Sequence, residues 1–156
     1  MYRCRPTASH CATEQSTAYE GVPLRREEDY RFNCNRFLDA ISEKYSLIYL
    51  DSPNNPTGQA VSLNDFRWIL EKAKKYDACV IADEAYGDYL PGRNSAAALL
   101  NEYDNLIVVR TFSKGFGLAG IRAGYLPSWV CFREENQVLT KTSGIPRSNC
   151  PPITAS

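Results

Sequence analysis

The residues most able to do chemistry lie in Thr111-Phe112-Ser113-Lys114-Gly115-Phe116-Gly117-Leu118-Ala119-Gly120-Ile121-Arg122-Ala123-Gly124-Tyr125. An apolar lead-in, Asn105 to Arg110, reads as a buried strand. A surface loop has no need of such a lead-in, and a core strand has no need of Lys114. A lysine delivered from a strand end among hydroxyls and glycines suits covalent bonding of its amine to a carbonyl group. The plainer alternative is a strand followed by a glycine-rich turn with a solvated lysine. Two further segments bear on the choice: Pro53-Asn54-Asn55-Pro56-Thr57-Gly58 and Asp83-Glu84-Ala85-Tyr86.

The elements that must position these segments alternate. A helix is expected from Asn35, with Phe37, Leu38, Ile41 and Tyr45 on one face. Ser46 to Leu50 reads as a strand that ends in the proline-rich loop. Ser62-Leu63-Asn64-Asp65 has the form of a capping box, and Leu63, Phe66, Ile69, Leu70 and Ala73 make the apolar stripe of the helix it opens. Ala78-Cys79-Val80-Ile81-Ala82 is a continuous apolar run suited to a strand buried on both faces, with Cys79 a small apolar residue inside it. Ser95 to Glu102 reads as a second flanking helix, Asn105 to Arg110 as the third strand, and Arg122 to Leu126 as a fourth. The expected fold is α/β, a mostly parallel sheet with flanking helices. In such sheets the ligand crevice lies at the carboxyl ends of the strands, where Asn54-Asn55, Asp83 and Lys114 all fall.

The chain of 156 residues is long enough for one cored domain, with 44% hydrophobic and 23% charged residues. Its formal net charge of zero gives no reason to expect nucleic acid or an anionic membrane as partner. No apolar run spans a bilayer, and the first residues lack a signal-peptide core, so a cytoplasmic location is expected. Six cysteines at irregular spacing suggest no disulfide framework. Cys4, His10 and Cys11 lack a fourth ligand at zinc-site spacing, and no metal is expected. Arg25-Arg26-Glu27-Glu28-Asp29 reads as a solvated loop. The segment divides into an irregular 1–34, an α/β unit over 35–130 and an irregular tail over 131–156. A nucleotide-binding domain is disfavoured, because neither a G-x-G-x-x-G after the first strand nor a Walker lysine motif is present.

A Schiff base on Lys114 needs a conjugated electron sink if bonds beside an amino group are to break, and pyridoxal 5'-phosphate supplies one. Its ring nitrogen must stay protonated, which a carboxylate such as Asp83 favours; Asp83 could equally cap a helix. Asn55 and Tyr86 could bond the ring oxygen, or be a turn asparagine and a packed aromatic. Thr111, Ser113 and Arg122 offer hydroxyls and a guanidinium fork for the phosphate; Arg122 could instead pair with a surface acid.

The three motifs, in this order, resemble the large domain of fold-type I pyridoxal-phosphate enzymes of the class I/II aminotransferases, above all the histidinol-phosphate aminotransferase and threonine-phosphate decarboxylase branch. The resemblance covers roughly residues 35 to 125. It implies a Schiff base at Lys114, which also carries the proton between substrate and cofactor carbons. It implies Asp83 on the pyridine nitrogen, Asn55 and Tyr86 on the ring oxygen, and Thr111, Ser113 and Arg122 on the phosphate. The implied reaction passes an amino group from an amino acid to a 2-oxo acid, in an enzyme that works as a homodimer. The family's glycine-rich phosphate turn, its ring-stacking aromatic and its small domain with a carboxylate-binding arginine find no counterpart here. The expectation is therefore a partial large domain with weak or no turnover. Decarboxylase or lyase chemistry, or an inert cofactor-binding remnant, remain as alternatives.

Overall fold

The computed structural model describes residues 20–127. Cys4, His10 and Cys11, Trp129 and the tail lie outside them. The ordered elements are α1 (Cys34–Ala40), β1 (Leu47–Asp51), α2 (Leu63–Lys74), β2 (Cys79–Asp83), β3 (Leu106–Thr111) and β4 (Gly124–Tyr125), with single 3-10 turns between them. The sheet order is β1-β2-β3-β4. The first three strands are parallel, and β4 runs antiparallel to β3. The register pairs Asp51 with Asp83 and Asp83 with Val109, so the carboxyl ends of the three parallel strands lie level.

One face of this sheet carries the core. Ile48 and Leu50, Val80 and Ala82, Leu106 and Val108 pack against Phe66, Ile69, Leu70 and Ala73 of α2. Phe37 and Leu38 of α1 close the edge of that cluster. Strand side chains alternate between faces. The other face therefore holds Leu47, Tyr49, Cys79, Ile81, Asp83, Ile107 and Val109, all half-buried except Leu47, which is exposed. The expected two-sided burial of β2 is thus corrected: Cys79 is half-buried on the uncovered face, and no helix among the described residues packs there.

Other expectations are also corrected. The first helix stops at Ala40, because Ile41 turns to an extended conformation (φ −73°, ψ 122°) and sends its side chain into the core. Tyr45 then belongs to a separate turn. The expected helix over Ser95–Glu102 is a 3-10 turn, Ala96–Leu99. Its start is tied to the buried Glu84: Ala96 N donates to that carboxylate at 2.6 Å, and Ser95 Oγ donates to the same group at 2.7 Å. The fourth strand shortens to two residues because Arg122 adopts a left-handed conformation (φ 51°). Gly124 can pair there only as glycine, since a Cβ would stand 2.6 Å from the Arg110 carbonyl oxygen.

The charge cluster 25–29 is tied down rather than free. Arg26–Glu28 forms a 3-10 turn, and Glu28 pairs with Arg36 of α1. Gln59 then stitches this segment to the proline-rich loop, accepting from Phe32 N at 3.1 Å and donating to Tyr30 O at 2.9 Å.

The capping box holds as expected. Ser62 Oγ accepts from Asp65 N at 3.1 Å and donates to the Asp65 carboxylate at 2.8 Å. Ser62→Ala is expected to lower stability by about 1 kcal/mol, seen as an earlier urea midpoint with an unchanged m-value.

Candidate active site

The loop after β1 separates a scaffold asparagine from a presented one. Asn54 is 5% exposed. Its amide nitrogen donates to both Asp51 oxygens at 3.0 Å, and its oxygen accepts from Thr57 Oγ1 at 2.7 Å. Its backbone bonds Gln59 O and Gly58 N at 2.8 and 2.7 Å, with Gly58 at φ 70° closing the turn. With Asn54 spent on the loop itself, Asn55 turns outward and its Nδ2 donates to the Tyr86 hydroxyl at 2.9 Å. A cleft of about 370 Å³ opens beside this pair, lined by Pro53, Pro56, Tyr89 and Leu90 among others.

At the end of β2, Asp83 and Glu84 point to opposite faces. Asp83 Oδ1 accepts from Ala85 N at 2.9 Å, and Oδ2 accepts from the Tyr49 hydroxyl of β1. Both carboxylate oxygens are therefore oriented by neighbours on the uncovered face. Glu84 enters the core side and is 2% exposed. Arg110 of β3 donates to its Oε2 from Nε and Nη2 at 3.1 and 2.7 Å. Burial disfavours the Arg110 charge, but Glu84 and Tyr125 more than offset it and its pKa is raised.

Beyond β3, the Thr111 hydroxyl accepts from Ser113 N at 3.1 Å and donates to Ala123 O at 3.3 Å. Lys114 follows, half-buried, with Nζ 5.3 Å from the centroid of the Tyr86 ring. That distance is within cation–π range. The structure thus joins Asn55, Tyr86 and Lys114 directly, and sets Asp83 three residues before Tyr86 at the same strand end. Ser113 and Thr111 flank the lysine. Arg122 is not drawn in: its exposed guanidinium donates to Ala119 O at 3.3 Å, three residues back.

Sequence reasoning missed Tyr49, Asp51, Glu84, Asp88 and Arg110. For Tyr49 and Asp51 the signal was the two-residue period, which puts them on the face of Asp83. For Arg110 it was a charge in an otherwise apolar strand. Burial, then a hydrogen bond to Asp65 and its charge, push the Cys34 thiol up to about 12, which disfavours its thiolate.

An amine over an aromatic ring, an amide on that ring's hydroxyl and an oriented carboxylate thus stand together at the ends of parallel strands, where α/β sheets hold their ligands. The chain belongs to the class I and II aminotransferase family, whose model matches residues 9–145. This match extends on both sides of the span covered by the three motifs. The histidinol-phosphate aminotransferase of Methanosarcina mazei is 46% identical over 113 residues, 71% of this chain and 29% of that protein. That of Methanocaldococcus jannaschii is 41% identical over 114 residues, 73% of this chain and 30% of that protein. The chain therefore spans under a third of the length of these relatives. Among solved structures, the histidinol-phosphate aminotransferase of Sinorhizobium meliloti in complex with pyridoxal-5'-phosphate superposes with a TM-score of 0.64 at 28% identity, covering 79% of this chain and 33% of that one. The enzyme of the same name from Clostridium acetobutylicum reaches 0.68 at 23% identity, covering 76% and 35%, and supports the fold.

Asp51 offers a test of the local electrostatics. Burial, reinforced by the Asp83 charge, outweighs its hydrogen bonds from Asn54 and Asn55 and raises its pKa above the ordinary carboxylate value. The folded chain then keeps a proton that the unfolded chain releases near pH ~4. The stability this group contributes is full below the unfolded pKa and is lost as pH rises through the folded one. Asp51→Asn is expected to flatten that decline in urea midpoints taken from about pH 4 to about pH 7. A variant curve parallel to wild type would rule Asp51 out as its source.

Proposed function

We propose that this chain binds pyridoxal 5'-phosphate at Lys114 and forms part of an enzyme that moves an amino group from an amino acid to a 2-oxo acid. The observation that carries the reading is the placement of Lys114 Nζ 5.3 Å from the Tyr86 ring while Asn55 bonds the Tyr86 hydroxyl. A plain glycine-rich turn gives no reason for that convergence. The family membership and the cofactor held by the Sinorhizobium meliloti neighbour support it.

The donor set fits the group. Bound there, it supplies an aldehyde carbon for an amine and a conjugated ring that takes up an electron pair. Asp83, oriented by Tyr49 and Ala85, keeps a pyridine nitrogen protonated by pairing with its charge. Asn55 and Tyr86 direct two hydrogens at a phenolic oxygen. Ser113 would offer its hydroxyl to a phosphate, Thr111 would do so on exchanging its bond to Ala123 O, and Arg122 would add its fork on leaving Ala119 O. Lys114 would hold the group at its aldehyde carbon, and its amine, once free, would serve as the base that takes a proton from the Cα of a substrate amino acid. Histidinol phosphate, after the name of the relatives, is the first amine to try.

The test is to add pyridoxal 5'-phosphate to the full chain, follow the visible band, reduce with borohydride and map the modified lysine by mass spectrometry. Wild type is expected to show the band and an adduct at Lys114. Lys114→Ala should lose both, and Asp83→Asn should weaken binding at least about tenfold, a loss of roughly 1.4 kcal/mol. Amine and 2-oxo acid are then added to measure turnover. A band without turnover would favour the second reading, a cofactor-binding piece, to which the span of under a third of the relatives' length also points. An adduct scattered over surface lysines would refute both.

A further inference from the structure

Two glycines near the lysine make room for the same group of charges. Gly115 is not required by its backbone, because only Gly58 and Gly117 among the described glycines have positive φ. It is required by space. A Cβ on Gly115 would stand 2.5 Å from Asp88 Oδ2, 2.6 Å from its Cβ and 2.8 Å from its Cγ. A Cβ on Gly87 would stand 2.9 Å from the Cβ of Glu84 and 3.4 Å from Cζ of Arg110. Asp88 belongs to the one-turn helix Gly87–Tyr89 that follows Tyr86. Its carboxylate lies 3.6 Å from Nη1 of Arg110, whose other nitrogens hold the buried Glu84.

The turn therefore grips the lysine loop at two successive residues: the Tyr86 ring lies under Lys114 Nζ, and the Asp88 side chain fills the space beside Gly115. We infer that Asp88 is a positioning residue for Lys114, anchored by the Glu84–Arg110 ion pair and acting through the Cβ-less Gly115 to hold the amine over Tyr86. The role in cofactor chemistry rests on the reading of Lys114 given above; the packing lock does not. Without Asp88 the Lys114–Gly115 backbone loses one wall. With a methyl at position 115 the loop is pushed off it. Either change frees the amine from the ring.

A cofactor-free measurement reads this. Full-length protein is methylated with formaldehyde and cyanoborohydride, and the rate at Lys114 is compared with that at exposed Lys75 in the same molecule. Gly115→Ala is expected to raise the Lys114-to-Lys75 ratio at least about threefold. In an Asp88→Gly background, the same substitution should change it less than about twofold, because the obstructing side chain is gone. Asp88→Ala alone should also raise the ratio, and it stays informative if Gly115→Ala does not fold. Equal effects of Gly115→Ala in both backgrounds, or an unchanged ratio in Asp88→Ala, would overturn the inference. With pyridoxal 5'-phosphate and borohydride, Gly115→Ala should lower the share of adduct at Lys114. If wild type forms no adduct at Lys114, the cofactor reading fails while the methylation ratios still decide the lock.

Discussion

The interaction on which the site depends is a buried carboxylate. Glu84 lies on the core side of the strand end that presents Asp83 to the other side. Taking a charge out of water is costly unless every lone pair finds a partner. Here Ser95 Oγ, Ala96 N and two Arg110 nitrogens supply them. Losing one partner of such a pair costs about 3–5 kcal/mol, whereas replacing both by apolar groups is often neutral. The pair is thus a weak source of net stability and a strong constraint on geometry. It fixes β2 to β3 at the level where their functional residues emerge. It also ties the start of the following turn, Ala96–Leu99, to the same carboxylate through the N–H of Ala96 and the hydroxyl of Ser95.

Contacts made across the sheet divide what the sequence revealed from what it did not. The three parallel strands, the capped α2 and the crevice at the strand ends follow from apolar periodicity, turn residues and the rule for ligand sites in α/β sheets. Asn55, Asp83, Tyr86 and Lys114 were legible as types of residue at strand ends. Their partners were not, because partnership here is set by strand register. Tyr49 meets Asp83 only because β1 and β2 pair Asp51 with Asp83. Likewise Gly115 looked like one more glycine of a flexible run, although its backbone is ordinary and its neighbour, 27 positions earlier in the chain, is what excludes a side chain. The length of α1 was misjudged because Tyr45 continued the apolar period after Ile41 had left the helix.

The two faces of the sheet are unequal among the described residues, and Tyr49 and Asp83 sit on the barer one. Ile81, Ile107 and Val109 are half-buried there, beside Tyr49 and Asp83, while Leu47 is 56% exposed. The core face, by contrast, is closed by α2 and the Ala96–Leu99 turn. A carboxylate on a bare face is oriented by hydrogen bonds but remains screened by water. Its pull on a bound cation strengthens as that face is covered. No helix among the described residues is long and apolar enough to cross a membrane.

Asp51 and Asp83 show how the parallel register shapes the electrostatics. In-register pairing sets two carboxylates on adjacent strands at the same level, and the Asp83 charge helps burial to raise the pKa of Asp51. The two are treated differently by their surroundings. Asp51 is turned into the loop, where the Asn54 amide and the Asn55 backbone take its oxygens. Asp83 is held by a phenol and one backbone N–H, partners that fix its direction. A cation placed against Asp83 would relieve the repulsion between the pair as well as gain its own attraction.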